Sequence, residues 1–239
     1  MIKLDDFLKD YDIKKAKELE HADPQFLALQ NCRNNIKNKN ENLFLFLVIQ
    51  CSLVSYQIAW SWELRRTEFW KKVETDRNIL LNTWENNTNN SDWWLNFLKS
   101  SKNNKRIYNI KKSRIDKLYK ILKTEKDFLK YWNNLEGLNQ LLAKTMNTQI
   151  YSKTIVFAIK MFGYAYTIIT WKEIEYPMSI NIPVDSRIKK IYFLNTKILP
   201  KKDEALQISK YFWNISKKYC IPPLDLDAIL RLKYRKNIK

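Results

Sequence analysis

The order of apolar and polar positions reads as a succession of helices. Residues 3–20 give the pattern of one charged amphipathic helix. Asp23-Pro24-Gln25 opens a second, because Asp can accept from the first free amides while Pro fits the first helical position. Gln25 then lies in the first turn. Leu43 to Gln57 is apolar enough to predict a core helix. Its longest apolar stretch, Leu43 to Val54, is too short to span a bilayer and is interrupted by Gln50. A segment rich in Trp and Arg, Ala59 to Trp70, leads into another helix whose register the pattern does not fix. Residues 86–91, Asn-Asn-Thr-Asn-Asn-Ser, form a polar break that suits a solvent loop.

Further on, a short helix from Gly137 to Met146 is followed by Asn147-Thr148-Gln149-Ile150-Tyr151-Ser152 and a long apolar run from Lys153 to Trp171. Together they read as helix, tight connection, helix over about 137–169. Asn147 suits a left-handed closing position nearly as well as Gly, and Ser152 can cap the second helix. Such a hairpin offers backbone amides to a phosphate on one side and a helix N-terminus on the other. Asn147, Gln149 and Ser152 are accordingly candidate contacts to a nucleic-acid backbone.

Composition agrees with helices. Only 2 Gly and 6 Pro punctuate 239 residues, too few for the turns of a β-sandwich or for a glycine-cradled nucleotide fold. With 45% apolar and 14% aromatic residues, the chain can bury one sizeable domain or two small lobes sharing a core.

Charge adds a partner. Lys and Arg number 43 against 25 Asp and Glu, a net charge of +18 that attracts a polyanion. An AT-rich genome inflates Lys, Asn and Ile, but does not by itself unbalance Lys against Glu. The densest basic stretch, Lys99 to Lys120, contains Lys111 and Lys112 and is nearly free of acids until Asp116. It is either a phosphate-tracking surface or one solvated helix face, and the scarcity of acids favours the former. Three cysteines, Cys32, Cys51 and Cys220, lack CxxC spacing and there is one His, so neither a disulfide framework nor a metal site is expected. The chain opens on alternating charge rather than a signal-like segment, which points to a reducing, cytoplasmic compartment.

Candidate chemistry centres on two residues. Lys153, Phe157 and Lys160 stand at i, i+4 and i+7 of a helix that is apolar almost all the way round, so they share a face. Burying an ammonium there is costly unless it is paired or neutral. A helix N-terminus beside a second cation lowers an amine's pKa toward nucleophilicity. The alternative is a Lys153 that snorkels from an exposed first turn. In Ile182-Pro183-Val184-Asp185-Ser186-Arg187, Asp185 is placed to cap the next helix. A carboxylate fixed there could also stabilise charge developing on a sugar or accept a proton from the amine.

These residues carry a resemblance. A helix-hairpin-helix whose second helix opens with Lys, followed by Pro183-Val184-Asp185, resembles the Lys/Asp bifunctional glycosylases of base excision repair. Within that superfamily Lys153-Thr154-Ile155-Val156-Phe157, the separation from Lys153 to Asp185, and Ile221-Pro222-Pro223-Leu224 with Asp227 beyond are similar to the archaeal 8-oxoguanine DNA glycosylase family. Asp23-Pro24-Gln25 and Ser55-Tyr56 extend the likeness more thinly.

The resemblance implies an all-α, two-lobed single domain over 1–239 with the site in the interlobe cleft, working as a monomer without cofactor or metal on double-stranded or single-stranded DNA containing 8-oxoguanine. The partner would make the protein nucleoid-associated. It further implies that Lys153 attacks the anomeric carbon and forms a Schiff base whose β-elimination nicks the strand, with Asp185 assisting. A flipped-out base would be held by Gln25, Lys160 and Asp227 and lined by Phe157 and Trp70. The family's stacking Trp is Arg231 here, Asn147 stands where Gly is common, and Trp60, Trp62, Arg65 and Arg66 replace a glycine-containing turn. The guanidinium of Arg231 can stack, though less extensively than indole. A glycosylase for another lesion and a non-catalytic helix-hairpin-helix DNA-binding protein are the alternatives.

Overall fold

A computed structural model describes residues 3–35, 40–54, 62–86, 91–101, 107–122, 125–199 and 204–234, without the side chains of residues 35, 62–67 and 122. Among these residues there are α-helices, one short 3-10 turn at Leu129–Asn133, and no strand.

The first expected helix is in fact two, α1 (Leu4–Leu8) and α2 (Ile13–His21). The break has a local cause. Asp12 takes extended backbone and its carboxylate accepts the Lys15 amide at 2.7 Å, so it starts a new helix instead of continuing the old one. Helix α3 (Pro24–Asn35) begins as its sequence demands, with Asp23 accepting the Gln25 amide at 2.9 Å. Helix α4 (Glu41–Val54) has every residue from Leu43 onward buried. A helix apolar on all sides must be surrounded. Gln50 does not interrupt it: wholly buried, it accepts the Trp94 indole N–H at 3.0 Å. A buried amide is tolerated where such a partner exists.

Next come α5 (Trp62–Thr75), α6 (Arg77–Glu85), α7 (Ser91–Ser100), α8 (Tyr108–Leu122), α9 (Leu135–Met146) and α10 (Lys153–Thr170). The chain ends in α11 (Ser186–Thr196), α12 (Ala205–Tyr219) and α13 (Pro223–Leu232). Ser55-Tyr56 and Gln57, Trp60, the centre of the polar break at 87–90, and Lys102, Lys105 and Arg106 lie outside the described residues, as do the side chains of Trp62, Arg65 and Arg66.

Two apolar clusters organise these helices. The larger runs through α3 to α10, with α10 packed along α4. The smaller gathers Leu4, Leu8 and Ala16 with Ile188, Ile191, Phe212 and Ile229 from α11 to α13. Helix α13 serves both, since Leu224 belongs to the larger cluster while Leu226, Ile229 and Leu230 belong to the smaller. Each fully buried aliphatic or aromatic side chain contributes roughly 1.5–3 kcal/mol, so both clusters rest on ordinary burial. The polar groups trapped between them are the unusual feature.

Candidate active site

The hairpin forms between α9 and α10. Asn147 closes α9 in the left-handed region (φ 51°, ψ 57°), and the Thr148 amide reaches back to the Ala143 carbonyl at 3.0 Å. Asn is among the few non-glycine residues that adopt this conformation readily. Ser152 has the extended backbone of a capping residue (φ −60°, ψ 131°) but makes no side-chain cap. Its hydroxyl pairs instead with that of Thr148 at 2.7 Å, which corrects the expectation of a serine cap. The pairing closes the turn and leaves the start of α10 without a side-chain acceptor.

Along α10 the face bearing Lys153, Phe157 and Lys160 sinks into the protein. Lys153 is exposed, Phe157 half-buried against the larger cluster, and Lys160 only 1% exposed. Asp185 caps α11 by accepting the Arg187 and Ile188 amides at 2.8 and 3.0 Å, and the Arg187 guanidinium grips its other oxygen, Nε lying at 2.7 Å. Burial works to raise the Asp185 pKa. The Arg187 charge and hydrogen bond, the Ile188 amide and the Lys153 charge outweigh it and hold the carboxyl below its ordinary value. Asp185 is therefore an anion at neutral pH, fixed in orientation, with the Lys153 ammonium within electrostatic reach.

Behind this pair the two clusters enclose a network of charge. Lys160 binds Asp227 at 2.6 Å and the Leu224 carbonyl at 3.2 Å, and Glu20 lies 3.9 Å away. Lys17 joins Glu20 at 3.0 Å to Asp225 at 2.7 Å, with its ammonium 4.2 Å above the Tyr176 ring. Asp23 is wholly buried; it accepts the Tyr164 hydroxyl at 2.9 Å and forms an ion pair with Arg231. Tyr176 donates to the Lys160 carbonyl at 3.2 Å, an approach that depends on Gly163, where a methyl would overlap the Tyr176 hydroxyl.

Of the residues expected to hold a base, Gln25, Lys160, Asp227 and Arg231 thus meet in or beside one buried network. Arg231 differs from expectation in its occupation, since burial and the pair with Asp23 hold a guanidinium foreseen as a stacking plane. Trp70 lies in the larger cluster, 4.6 Å from the Phe69 ring and 6.0 Å from Phe44. Its indole N–H has no hydrogen-bond partner among the described residues.

The basic stretch is only partly a surface. Lys111 is wholly buried, which corrects its expected role as a phosphate contact, because α8 turns that position toward the core. Arg114 donates to the Leu53 carbonyl at 2.7 Å, and Lys112 pairs with Asp116 at 2.9 Å. Lys99 and Lys120 remain exposed. Helical spacing explains the division: neighbouring residues such as Lys111 and Lys112 point about 100° apart.

A family model described as AGOG: N-glycosylase/DNA lyase matches residues 5–236. The chain belongs to the AGOG family. It is 38% identical over 227 residues to an N-glycosylase/DNA lyase of Methanococcus maripaludis, covering 92% of this chain and 82% of that one. An N-glycosylase/DNA lyase of Thermococcus kodakarensis is 32% identical over 238 residues, with 95% and 81% covered. The crystal structure of an 8-oxoguanosine-complexed AGOG from Pyrobaculum aerophilum, an 8-oxoguanine DNA glycosylase, matches with a TM-score of 0.76 at 24% identity, over 94% of this chain and 83% of that one. That likeness establishes the fold, an all-α helix-hairpin-helix glycosylase type. The enzyme class is DNA N-glycosylase and lyase.

Against this AGOG frame, the charged participants Lys17, Glu20, Asp225 and Arg187 escaped the sequence, as did the hydroxyls of Tyr164 and Tyr176. Lys17 and Glu20 are three residues apart on a helix full of charge, indistinguishable in sequence from a solvated surface pair. Arg187 sits two residues after a capping Asp, a spacing that alone gave no reason to prefer it over Lys189 or Lys190.

Proposed function

We propose that this AGOG protein excises oxidised guanine, 8-oxoguanine, from DNA and then nicks the strand, with Lys153 as nucleophile and Asp185 as its partner. The neutral amine of Lys153 attacks C1′ of the damaged nucleotide as the bond to the base breaks, and the base leaves with the electron pair and takes up a proton. Opening of the sugar gives a Schiff base on Lys153. Loss of the proton at C2′ then expels the 3′ phosphate and cuts the strand. Asp185 stabilises positive charge on the sugar ring and takes a proton from the attacking amine.

The observation that carries this reading is the pairing of an exposed amine at the start of α10 with a rigid, depressed carboxylate at the start of α11. An amine nucleophile needs exposure to reach an extruded sugar, and a partner carboxylate needs to stay ionised. The base would be read by Gln25, Lys160 and Asp227 with Phe157 and Trp70 beside it. Oxidation turns N7 of guanine into an N–H donor, so a selective pocket must offer an acceptor, which Gln25 or a backbone carbonyl supplies. Asn147, Gln149, Ser152 and Lys112 would face the backbone of duplex or single-stranded DNA, with one copy of the chain sufficing for the site. No helix among the described residues is long and apolar enough to cross a membrane.

Borohydride reduction of the protein on a duplex carrying one 8-oxoguanine tests the reading. A covalent adduct, lost in Lys153→Gln, is expected; no adduct from the intact protein overturns it. A glycosylase for a different base is the second reading, favoured by the engagement of Arg231 with Asp23 where a free stacking plane was expected. A panel of lesions in the same assay separates the two.

A further inference from the structure

Glu20 has no part in the chemistry described above, and it is buried deep in the ionic network. Oε2 is bound by Lys17 at 3.0 Å, whereas Oε1 has no hydrogen-bond partner among the described residues and stands 3.9 Å from the Lys160 ammonium. Lys160 is meanwhile held at 2.6 Å by Asp227. Two carboxylates on different helices therefore contend for one ammonium, and that ammonium belongs to the base-reading side of the site.

We propose that Glu20 is a positioning residue that sets how far the Lys160 ammonium is available to an everted base, so that its protonation governs base recognition and not the amine chemistry at Lys153. The inference rests on the reading of Lys160 as a base contact. When Glu20 is ionised, it draws Lys160 away from an incoming carbonyl oxygen of the base. Protonated Glu20 leaves Lys160 with Asp227 and the Leu224 carbonyl, and a proton of the ammonium is free to turn to the base.

The surroundings of Glu20 support this. Around it stand Lys17 on its own helix, Lys160 and Tyr164 on α10, Tyr176 beyond α10, Asp225, Asp227 and Arg231 on α13, and Asp23 at the start of α3. Four carboxylates face three cations, so one proton balances the set. Burial raises both Glu20, up to about 7 against the charges of Lys17 and Lys160, and its neighbour Asp225. Asp225 has the Lys17 ammonium at 2.7 Å, whereas Oε1 of Glu20 has no cation nearer than 3.9 Å among the described residues, so Glu20 is the carboxyl that takes that proton. Burial and the neighbouring carboxylates drive Tyr164 and Tyr176 the other way from ionisation, so both stay neutral. A group raised in this way is protonated as pH falls through its pKa, and a ligand that prefers the protonated state binds better on the acid side.

The test measures release of 8-oxoguanine from a duplex under single turnover between pH 6 and 8.5 (roughly one unit or more either side of the midpoint), recording both the maximal rate and the protein concentration at half-maximum. Borohydride trapping on an abasic-site duplex is measured on the same preparations, because that substrate has no base for Lys160 to meet. Expected is a half-saturation that rises about tenfold with pH in a single step near 7, the ratio given by a one-unit shift of Glu20 on base binding. Glu20→Gln should abolish the step relative to abasic-site trapping and lie at the acid-side level. Lys17→Gln should move the step to higher pH, a displacement that loss of packing alone does not produce. A step that persists in Glu20→Gln overturns the proposal, as does one equally present in abasic-site trapping. Loss of trapping by the intact protein at every pH strikes instead at Lys153 as nucleophile.

Discussion

Replacing Asp185 by Asn separates its observed job as a helix cap from its proposed job in the chemistry. As a cap, Asp185 uses Oδ1 to accept two amides, at 2.8 and 3.0 Å, and Asn offers the same oxygen with the same preference for that position. Ala offers none, so Asp185→Ala should lose about 1 kcal/mol from the cap. Both substitutions also lose the Arg187 pair. With the Arg187 side chain 39% exposed, solvent screening keeps that loss to roughly 0.5–1 kcal/mol. Asp185→Asn should therefore cost under about 1 kcal/mol and Asp185→Ala about 1.5–2 kcal/mol in urea unfolding followed by Trp fluorescence. Activity should not follow that order. Both variants should lose about 100-fold or more in single-turnover excision, the scale of a general acid–base group. A further sign follows from the depressed carboxyl. Its contribution is present above the unfolded carboxylate range and is lost as pH falls through the folded value, so the stability gap between the parent and Asp185→Asn should be flat above about pH 5 and close below it. An Asn variant that excises at more than a third of the parent rate would leave Asp185 as a cap and nothing else.

Three other outcomes follow. Lys160→Met should cost about 3–5 kcal/mol because Asp227 is left charged and buried, and Lys160→Met with Asp227→Leu should recover part of it; a double variant as unstable as the sum of the singles would show that the pair is not coupled. Lys120→Ala should lower the salt dependence of DNA binding by about one phosphate contact, while Lys111→Ala should lower the unfolding midpoint and leave the slope unchanged; a reduced slope in Lys111→Ala refutes its burial. Arg231→Trp should strengthen binding of the oxidised base in competition assays yet lower stability by about 3 kcal/mol, since Asp23 loses its cation; a variant that binds the base no better removes stacking as the limit on affinity.

The helices were legible where one residue decides a boundary: Pro24 at the first position of α3, Asn147 in the left-handed region, Asp185 at the head of α11. They misled where two good signals compete, as at Asp12, whose capping breaks a stretch that periodicity reads as continuous. Ser152 shows the same limit at the scale of one hydroxyl. Its sequence position suits a cap, but Thr148 four residues earlier offers a nearer partner. The buried network was legible only through the family resemblance, which brought Lys160, Asp227 and Arg231 to one base, and not as a set of ion pairs. Lys17, Glu20, Asp23, Lys160, Asp225, Asp227 and Arg231 come from α2, the start of α3, α10 and α13, and nothing in any one segment says that these charges will be enclosed together.

That enclosure has a consequence for how the reaction is divided. Lys153 and Asp185 stand at helix starts, one exposed and one at the margin of burial, while the groups proposed to read the base lie where the two clusters meet. A buried ion network is seldom worth its desolvation as a source of stability, and hydrophobic replacements often match it. Here the cost is borne at one place, between α2, α10 and α13, and the polar atoms left over there include Glu20 Oε1 and Arg231 Nε. Groups that are not fully satisfied by the protein are those able to gain when a polar base arrives, because their missing hydrogen bonds are already part of the unbound state. Substitutions within the network should accordingly alter which base is released, whereas substitutions at Lys153 and Asp185 should alter release of every base and scission of abasic sites together.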